Sequence, residues 1–475
     1  MTQFTIKVFV KTVILSILLV AFGYSANAQN PNQKIKVYFN HMPNTSVSLG
    51  STPYYTQYFA DTLAKLIDSA KYSVDLAQYD YTASSGDLVA PIATACNAAA
   101  ARGVIVRWIY CGTSPNSGLS LLSSRVHTES SPTTGMQSGY IMHNKFVVID
   151  CNSLTPSQAI ISTSSFDWSD EMSTSDYNNM VVIQDQTLAQ AYNSQFNQMW
   201  GGTDSIPGAS PKFSTNKTAS AVNSFTVNGT PIQVYFSPMD GASSQLQNAA
   251  NSADYELYFG IYDFTINNVA TAMQNKYTSG VTGFGIEDQY GQSSSPYATL
   301  SASGVLGTSR FKIYSGSYIY HNKVICVDAN HPANDPLVGC GSYNWTSTAS
   351  NVSDENFMVI HNATVANEYY QSLCADFASL GGAACTSYLG IEKYDFGSDQ
   401  VAVYPNPFID AVSINVKNAG ETLSVRITDQ LGKVIFENKA TQTNEMKLNL
   451  GELSEGVYFV TVTTGNNQYT QKLIK

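Results

Sequence analysis

Two short stretches carry the same reactive side chains at the same spacing, YIMHNKFVVID at 140–150 and YIYHNKVICVD at 318–328. Each reads H-x-K-x(4)-D: His143, Lys145 and Asp150 in one copy, His321, Lys323 and Asp328 in the other. An imidazole can attack phosphorus or hand a proton to a leaving oxygen, and an ammonium beside it neutralises phosphate oxygens. Residues two apart on a strand share a face, so each histidine is expected beside its lysine. Asp150 and Asp328 have the opposite parity and fall near strand ends. A carboxylate can orient an imidazole through Nδ1, so each aspartate is expected to serve the other copy's histidine across a pseudo-twofold interface. One such motif would carry little weight, since a lone histidine on a strand is more often structural. Two at equivalent points of a repeat carry far more.

The rest of the chain repeats in step with these motifs. IKVYFN at 35–40 returns as IQVYFS at 232–237, and SVDLAQYDYT at 73–82 returns as YELYFGIYDFT at 255–265. Each copy opens on a β-branched, aromatic strand pattern, followed by a helical segment (TLAKLIDSAK at 62–71, SSQLQNAANSA at 243–253). The YDYT or YDFT strand follows, then a second helix, LVAPIATACNAAAARG at 88–103 against NNVATAMQNKYTSG at 267–280. Strands alternating with helices predict an α/β fold: two repeated α/β sandwich halves, each with helices covering a mixed sheet.

The resulting division is a leader at 1–28, repeat 1 at 29–205, a Gly/Ser/Thr/Pro-rich linker at 206–230, repeat 2 at 231–385, a second linker at 386–400 and a small all-β sandwich at 401–475. The leader has Lys7 and Lys11, an apolar stretch from Val13 to Phe22, and Ala26-Asn27-Ala28, the pattern of an export signal cut after Ala28. Its apolar run is short for a membrane anchor. None of the seven cysteines shows C-x-x-C spacing, so no metal site is expected; Cys374/Cys385 and Cys326/Cys340 are the plausible disulfides.

The paired motifs resemble the signature of the phospholipase D superfamily. In that family a G-S-x-N element follows each motif. The second copy keeps it as Gly341-Ser342-Tyr343-Asn344; the first reads Ser164-Ser165-Phe166-Asp167. The resemblance implies a phosphate cradle from Ser165, Asp167, Ser342 and Asn344, with Asn179 and Asn356 aligned downstream, where Asn178 in one copy stands opposite Glu355 in the other. Asp167 sets a negative charge where phosphate oxygens would lie. It further implies cofactor-free, metal-independent cleavage of a phosphodiester through a phosphohistidine, with His143 as nucleophile and His321 as acid and base. Both half-sites come from one chain, so a monomer suffices. The tail resembles the C-terminal sorting domain of the type IX secretion system of Gram-negative bacteria, through Tyr404-Pro405-Asn406-Pro407, Gly456-Val457-Tyr458 and the closing Lys472-Leu473-Ile474-Lys475. That implies passage to the cell surface or medium by the type IX machinery, with the tail often removed on the way.

Charge bears on the substrate. With the leader and tail set aside, residues 29–400 hold 15 basic and 28 acidic residues, a net of −13. Nonspecific nucleic-acid binding draws on cations meeting phosphates, so DNA or RNA is disfavoured, although a local positive groove around Lys145 and Lys323 leaves an endonuclease open. Aromatic residues make up 12% of the chain and suit a surface that meets phospholipid head groups. A phospholipid or membrane-surface substrate is the leading expectation, with a nuclease and a non-catalytic binding protein as alternatives.

Overall fold

The computed structural model describes residues 33–291, 293–386, 401–417, 422–430, 432–441, 443–464 and 467–475. The leader at 1–28 and nearly all of the second linker lie outside the described residues. The chain divides into two compact units, one ending at Ser387 and one beginning at Tyr388.

The first unit is a duplication, each copy carrying an eight-stranded mixed sheet. In the first copy the strands are β1 Ile35–Phe39, β2 Tyr54–Tyr55, β3 Ser73–Gln78, β4 Ile105–Tyr110, β5 His127–Ser130, β6 Lys145–Ile149, β7 Ile160–Ser164 and β8 Asn179–Ile183. In the second they are β9 Ser224–Val227, β10 Thr230–Ser237, β11 Leu257–Ile261, β12 Gly285–Asp288, β13 Phe311–Tyr314, β14 Lys323–Val327, β15 Leu337–Gly341 and β16 Glu355–His361. The orders β5-β4-β3-β6-β7-β8-β1-β2 and β13-β12-β11-β14-β15-β16-β10-β9 correspond over their first seven strands; the eighth differs, β2 running parallel to β1 and β9 antiparallel to β10. In both, the strand that follows the H-N-K notch sits near the centre, hydrogen-bonded to the strand that precedes YDYT or YDFT.

The four expected helices form at Phe59–Ser69, Ala90–Ala101, Ala242–Asn251 and Asn267–Thr278. In the first of them Phe59, Leu63 and Ile67 recur every four residues and are buried. These helices cover the outer face of each sheet, over cores built around Trp108 and Trp168 in one copy and Phe259 and Trp345 in the other. Two longer helices, Gln186–Trp200 and Ala363–Ser379, were not apparent in the sequence reading. The first is capped by Asp185, whose carboxylate accepts the Leu188 amide (2.9 Å), and ends on Gly201 in the left-handed conformation. Both helices lie in a third core shared by the two copies. There Tyr369 meets Phe39 of the other copy (5.2 Å), and Tyr192 meets Phe236 (4.9 Å). Each such edge-on pair adds about 0.5–1.5 kcal/mol beyond the area it buries, which fixes one copy against the other.

Three expectations are corrected. The strands end at Gln78 and Ile261, so Tyr79-Asp80 and Tyr262-Asp263 lie in the loops just beyond them, at the carboxyl ends of the strands. The segment 206–230 is no free linker: Phe213, Ser214 and Lys217 are buried, and β9 extends the second sheet. Lys217 reaches Asp354 (2.8 Å), which also accepts the Tyr140 hydroxyl (2.9 Å) and the Ser214 amide (2.9 Å). Cys374 and Cys385 are disulfide-bonded, whereas Cys326 and Cys340 stay free. Cys326 lies opposite Val338 rather than Cys340, a two-residue offset that keeps the sulfurs from bonding.

The second unit is all β. Strands β17 Val401–Tyr404, β18 Ala411–Val416 and β21 Glu445–Asn449 form one sheet, in the order β17-β18-β21. Strands β19 Thr422–Thr428, β20 Val434–Thr441, β22 Val457–Thr464 and β23 Asn467–Ile474 form the other, in the order β20-β19-β22-β23. Alternate residues, among them Val412, Ile414, Val425, Val460 and Leu473, share one core between the sheets.

Candidate active site

The two H-N-K notches meet at the interface of the copies. Each histidine precedes its strand, which begins at the lysine, so strand parity is not what aligns them. A backbone bridge between the copies holds the first notch: the His143 amide donates to the Asp354 carbonyl (2.9 Å), and the Asp354 amide to the Ile141 carbonyl (3.0 Å). The Tyr177 amide, donating to the Ile319 carbonyl (2.9 Å), does the same for the second. Asn144 and Asn322, between histidine and lysine, also tie the copies together. Asn356 donates to Asn144 Oδ1 (3.2 Å), and Asn179 to Asn322 Oδ1 (2.7 Å). Asn356 Oδ1 accepts from Thr163 (2.7 Å) and Tyr192 (3.3 Å), and Asn179 Oδ1 from Tyr369 (3.1 Å). Asn179 and Asn356, expected at the substrate, are thus fully buried and committed to the interface.

Both imidazoles and both ammonium groups are buried together. Lys145 Nζ donates to the His143 carbonyl (3.3 Å) and Lys323 Nζ to the His321 carbonyl (2.8 Å), so each lysine folds back beside its own histidine. Tyr79 packs on His143 (rings 4.8 Å apart) and lies under Lys145, while Tyr262 packs on His321 (5.1 Å) and lies under Lys323. Asp167 ion-pairs with Lys145 (3.0 Å) and stands 3.9 Å from His321 Nε2. Its counterpart Asn344 is half-buried, and its Oδ1 has no hydrogen-bond partner.

The aspartates of the motifs are elsewhere, which corrects the expectation that they orient the histidines. Asp150 and Asp328 adopt the left-handed backbone conformation (φ 51° and 50°) just past their strands. Asp150 accepts the amides of Lys71, Tyr72 and Ser73 (2.7–2.9 Å), and Asp328 those of Asp254, Tyr255 and Glu256 (2.7–3.1 Å). Each carboxylate satisfies three otherwise orphaned donors where the next strand begins, a folding role.

The histidines are held instead by two residues that the sequence reading aligned without assigning to the site. Glu355 binds His143 Nδ1 through both carboxyl oxygens (2.8 and 2.9 Å); Asn178 Oδ1 binds His321 Nδ1 (3.2 Å). Ser342 and Ser165, expected to touch phosphate, support these partners: Ser342 donates to Glu355 (2.6 Å) and Ser165 to Asn178 (2.8 Å). Since Asn178 Oδ1 can only accept, His321 carries its proton on Nδ1, and Nε2 is left for chemistry. The signal for both partners was their position, immediately before the aligned Asn179 and Asn356.

Electrostatics follow from burying two ammonium groups side by side. Burial first, and the lysines second, hold both imidazoles well below their usual pKa. Burial also pushes the Glu355 carboxyl well above the carboxylate range, against the pull of Lys145. Burial and then Lys145 pull Lys323 down to about 7. Asp167 is raised by burial against the pull of Lys145. An incoming anion relieves this crowding, because it restores charge on Lys323 and favours protonated imidazole. Among the described residues, no group of three or more His, Cys, Asp or Glu side chains is disposed to hold a metal ion.

The family model described as "Cardiolipin synthase, PLD-like domain" matches residues 63–200 and 246–376, and that described as "Secretion system C-terminal sorting domain" matches 402–475. The mitochondrial cardiolipin hydrolase of Drosophila melanogaster is 27% identical over 154 residues, which are 29% of this chain and 57% of that protein. An endo-acting ulvan lyase of Formosa agariphila is 29% identical over 107 residues, 22% of this chain and 20% of the lyase, so the chain spans only about a fifth of that relative. Among solved structures, phosphatidylserine synthase from Haemophilus influenzae covers 66% of this chain and 83% of its own at 13% identity, with a TM-score of 0.49. The sorting domain marks the chain for the type IX secretion machinery and a destination in the medium or on the cell surface. With more than half of its length matched in two successive copies, the chain belongs to the phospholipase D-like family.

Proposed function

We propose that this is an exported phosphodiesterase that removes phospholipid head groups through a phosphohistidine, with His143 as nucleophile and His321 as general acid and base. The observation that carries the assignment is the unequal pair of Nδ1 partners, a carboxyl on His143 and an amide on His321. Attack through Nε2 leaves a positive ring at His143, which a carboxylate at Nδ1 stabilises and an amide does not. His321 has to gain and lose a proton in turn, and a neutral amide fixes its ring without trapping it as imidazolium.

In the first step Lys145 and Lys323 neutralise the phosphate oxygens while His143 Nε2 bonds to phosphorus. The phosphorus–oxygen bond to the head group breaks, and the leaving oxygen takes the Nε2 proton of His321, which binding of the anionic substrate has turned into imidazolium. In the second step His321 draws a proton from water, water oxygen bonds to phosphorus, and the bond to His143 breaks. The acidic charge of residues 29–400 supports a lipid over a polyanionic nucleic acid.

A substrate panel in chelator tests this: phosphatidylcholine and phosphatidylethanolamine vesicles beside plasmid and single-stranded DNA. Head-group release, lost in His143→Ala, is expected. Cutting of DNA in preference to lipid would overturn the lipid assignment. Phosphoenzyme trapped on His321 would reverse the two histidines.

A further inference from the structure

We infer that Lys217 and Asp354 are positioning residues for the nucleophile: through their buried ion pair, the segment that joins the two copies holds His143 in its attack geometry. The inference rests on the proposed phosphohistidine chemistry and names residues outside the cleft on which its first step depends.

Asp354 is where the joining segment, the first notch and the partner of the nucleophile converge. Its main chain forms a single parallel bridge with Met142, accepting the His143 amide (2.9 Å) and donating to the Ile141 carbonyl (3.0 Å). The next residue, Glu355, grips His143 Nδ1 through both carboxyl oxygens. A shift of Asp354 therefore carries the backbone and the ring of His143 with it. The Asp354 side chain is fully buried, and both of its oxygens are engaged. Oδ1 accepts the Lys217 ammonium (2.8 Å) and the Ser214 amide (2.9 Å), and Oδ2 accepts the Tyr140 hydroxyl (2.9 Å).

The joining segment is shaped to deliver that ammonium. Ser214 takes the left-handed backbone conformation (φ 55°), which strains any residue that carries a Cβ. Two bonds hold it there, its amide to Asp354 and its hydroxyl to the Val352 carbonyl (2.5 Å). Lys217 is 3% exposed, and its ammonium also donates to the Ser237 carbonyl (2.9 Å) of the second copy. Apolar side chains of the same volume often replace a buried ion pair at no loss of stability, so stability alone does not account for an ammonium here. Its directed bonds fix where Asp354 stands. The second notch is held by other means. Tyr177, the counterpart of Asp354, stacks its ring on His41 (3.7 Å), and Asp176 accepts the Ile319 amide (2.6 Å). Tyr318, the counterpart of Tyr140, is 48% exposed where Tyr140 is 7%. The ion pair thus serves the half-site whose histidine must stay aligned on phosphorus.

The test uses the full-length chain, stopped-flow release of 4-nitrophenol from bis(4-nitrophenyl) phosphate, and urea unfolding, with phosphohistidine trapped in parallel. Burst amplitude counts the folded sites, so rate and stability are read separately. Lys217→Met and Asp354→Asn are each expected to slow the first turnover by about ten- to a hundredfold with KM within about threefold, the effect of a displacement near 1 Å at a reacting group. Each also leaves a buried partner unpaired and lowers stability, so the double variant Lys217→Met/Asp354→Asn decides. Its urea midpoint is expected to return toward the parent's while its first turnover stays at least about fivefold slow. A first turnover within fivefold of the parent in the double variant overturns the positioning role and leaves the pair structural. So do single variants whose folded sites react within threefold of the parent. No phosphohistidine at His143 in the parent protein overturns the underlying reading, and the inference with it.

Discussion

Substituting Glu355 by glutamine keeps the shape of the His143 partner and removes its ability to carry charge. The contact is short, 2.8 and 2.9 Å, and almost fully shielded from water. At that separation and an effective dielectric near 20, a carboxylate stabilises a positive imidazole by about 6 kcal/mol before its own desolvation is counted. Deep burial offsets part of this, leaving about 3–5 kcal/mol, or roughly 10²–10⁴ in rate. The loss falls on formation of the phosphohistidine, when the ring becomes positive, and little on substrate binding. Stopped-flow release of 4-nitrophenol from bis(4-nitrophenyl) phosphate reads that step directly. Glu355→Gln is expected to slow the first turnover by at least a hundredfold with KM within threefold, whereas Asn178→Ala is expected to cost about tenfold or less. A Glu355→Gln burst within fivefold of the parent would refute the reasoning, and so would an Asn178→Ala variant that is the slower of the two.

Three further outcomes follow from the same electrostatics. Asp167→Asn removes the negative charge paired with Lys145 at 3.0 Å and is expected to tighten competitive inhibition by inorganic phosphate by about tenfold; unchanged inhibition would mean that Asp167 faces away from the bound anion. Lys323, pulled to about 7 by burial and Lys145, keeps its charge only below that pH, so kcat/KM is expected to fall as pH rises above about 7. Asp167 is one of the groups holding that value up, so Asp167→Asn is expected to move the same limb to lower pH; a limb that stays put would assign it to another group. Glu287 is fully buried, its carboxyl against Gly291, and burial, then Asp263, raises it from 4.5 to about 9. Below its unfolded pKa both states are protonated. As pH rises toward 9 only the unfolded chain ionises, so stability is lost, by about 3 kcal/mol at pH 7. Glu287→Gln is expected to recover most of that in urea unfolding at pH 7 and nothing at pH 4; equal pH dependence in the two proteins would refute it.

The contrast between what the sequence made legible and what it hid has a physical basis. Repeats, helical stripes such as Phe59, Leu63 and Ile67, and the H-N-K notches are local patterns set by periods of two and 3.6 residues, and one chain displays them directly. The partners of the histidines are not local. Glu355 is 212 residues from His143, and Asn178 is 143 from His321. Only the pairing of the two copies brings them together, and for that cross-copy role the recurring motif offered Asp150 and Asp328 instead. Those aspartates recur in step with the histidines because each starts the same strand in each copy, which is a reason to repeat that has nothing to do with catalysis. Asn179 and Asn356 misled in the same way, since a duplicated interface needs its buried amides twice just as a duplicated site needs its histidines twice. Recurrence within a duplicated chain therefore marks what the pairing requires. It is the positions where the copies disagree, Glu355 against Asn178 and Asp167 against Asn344, that make the two half-sites unequal.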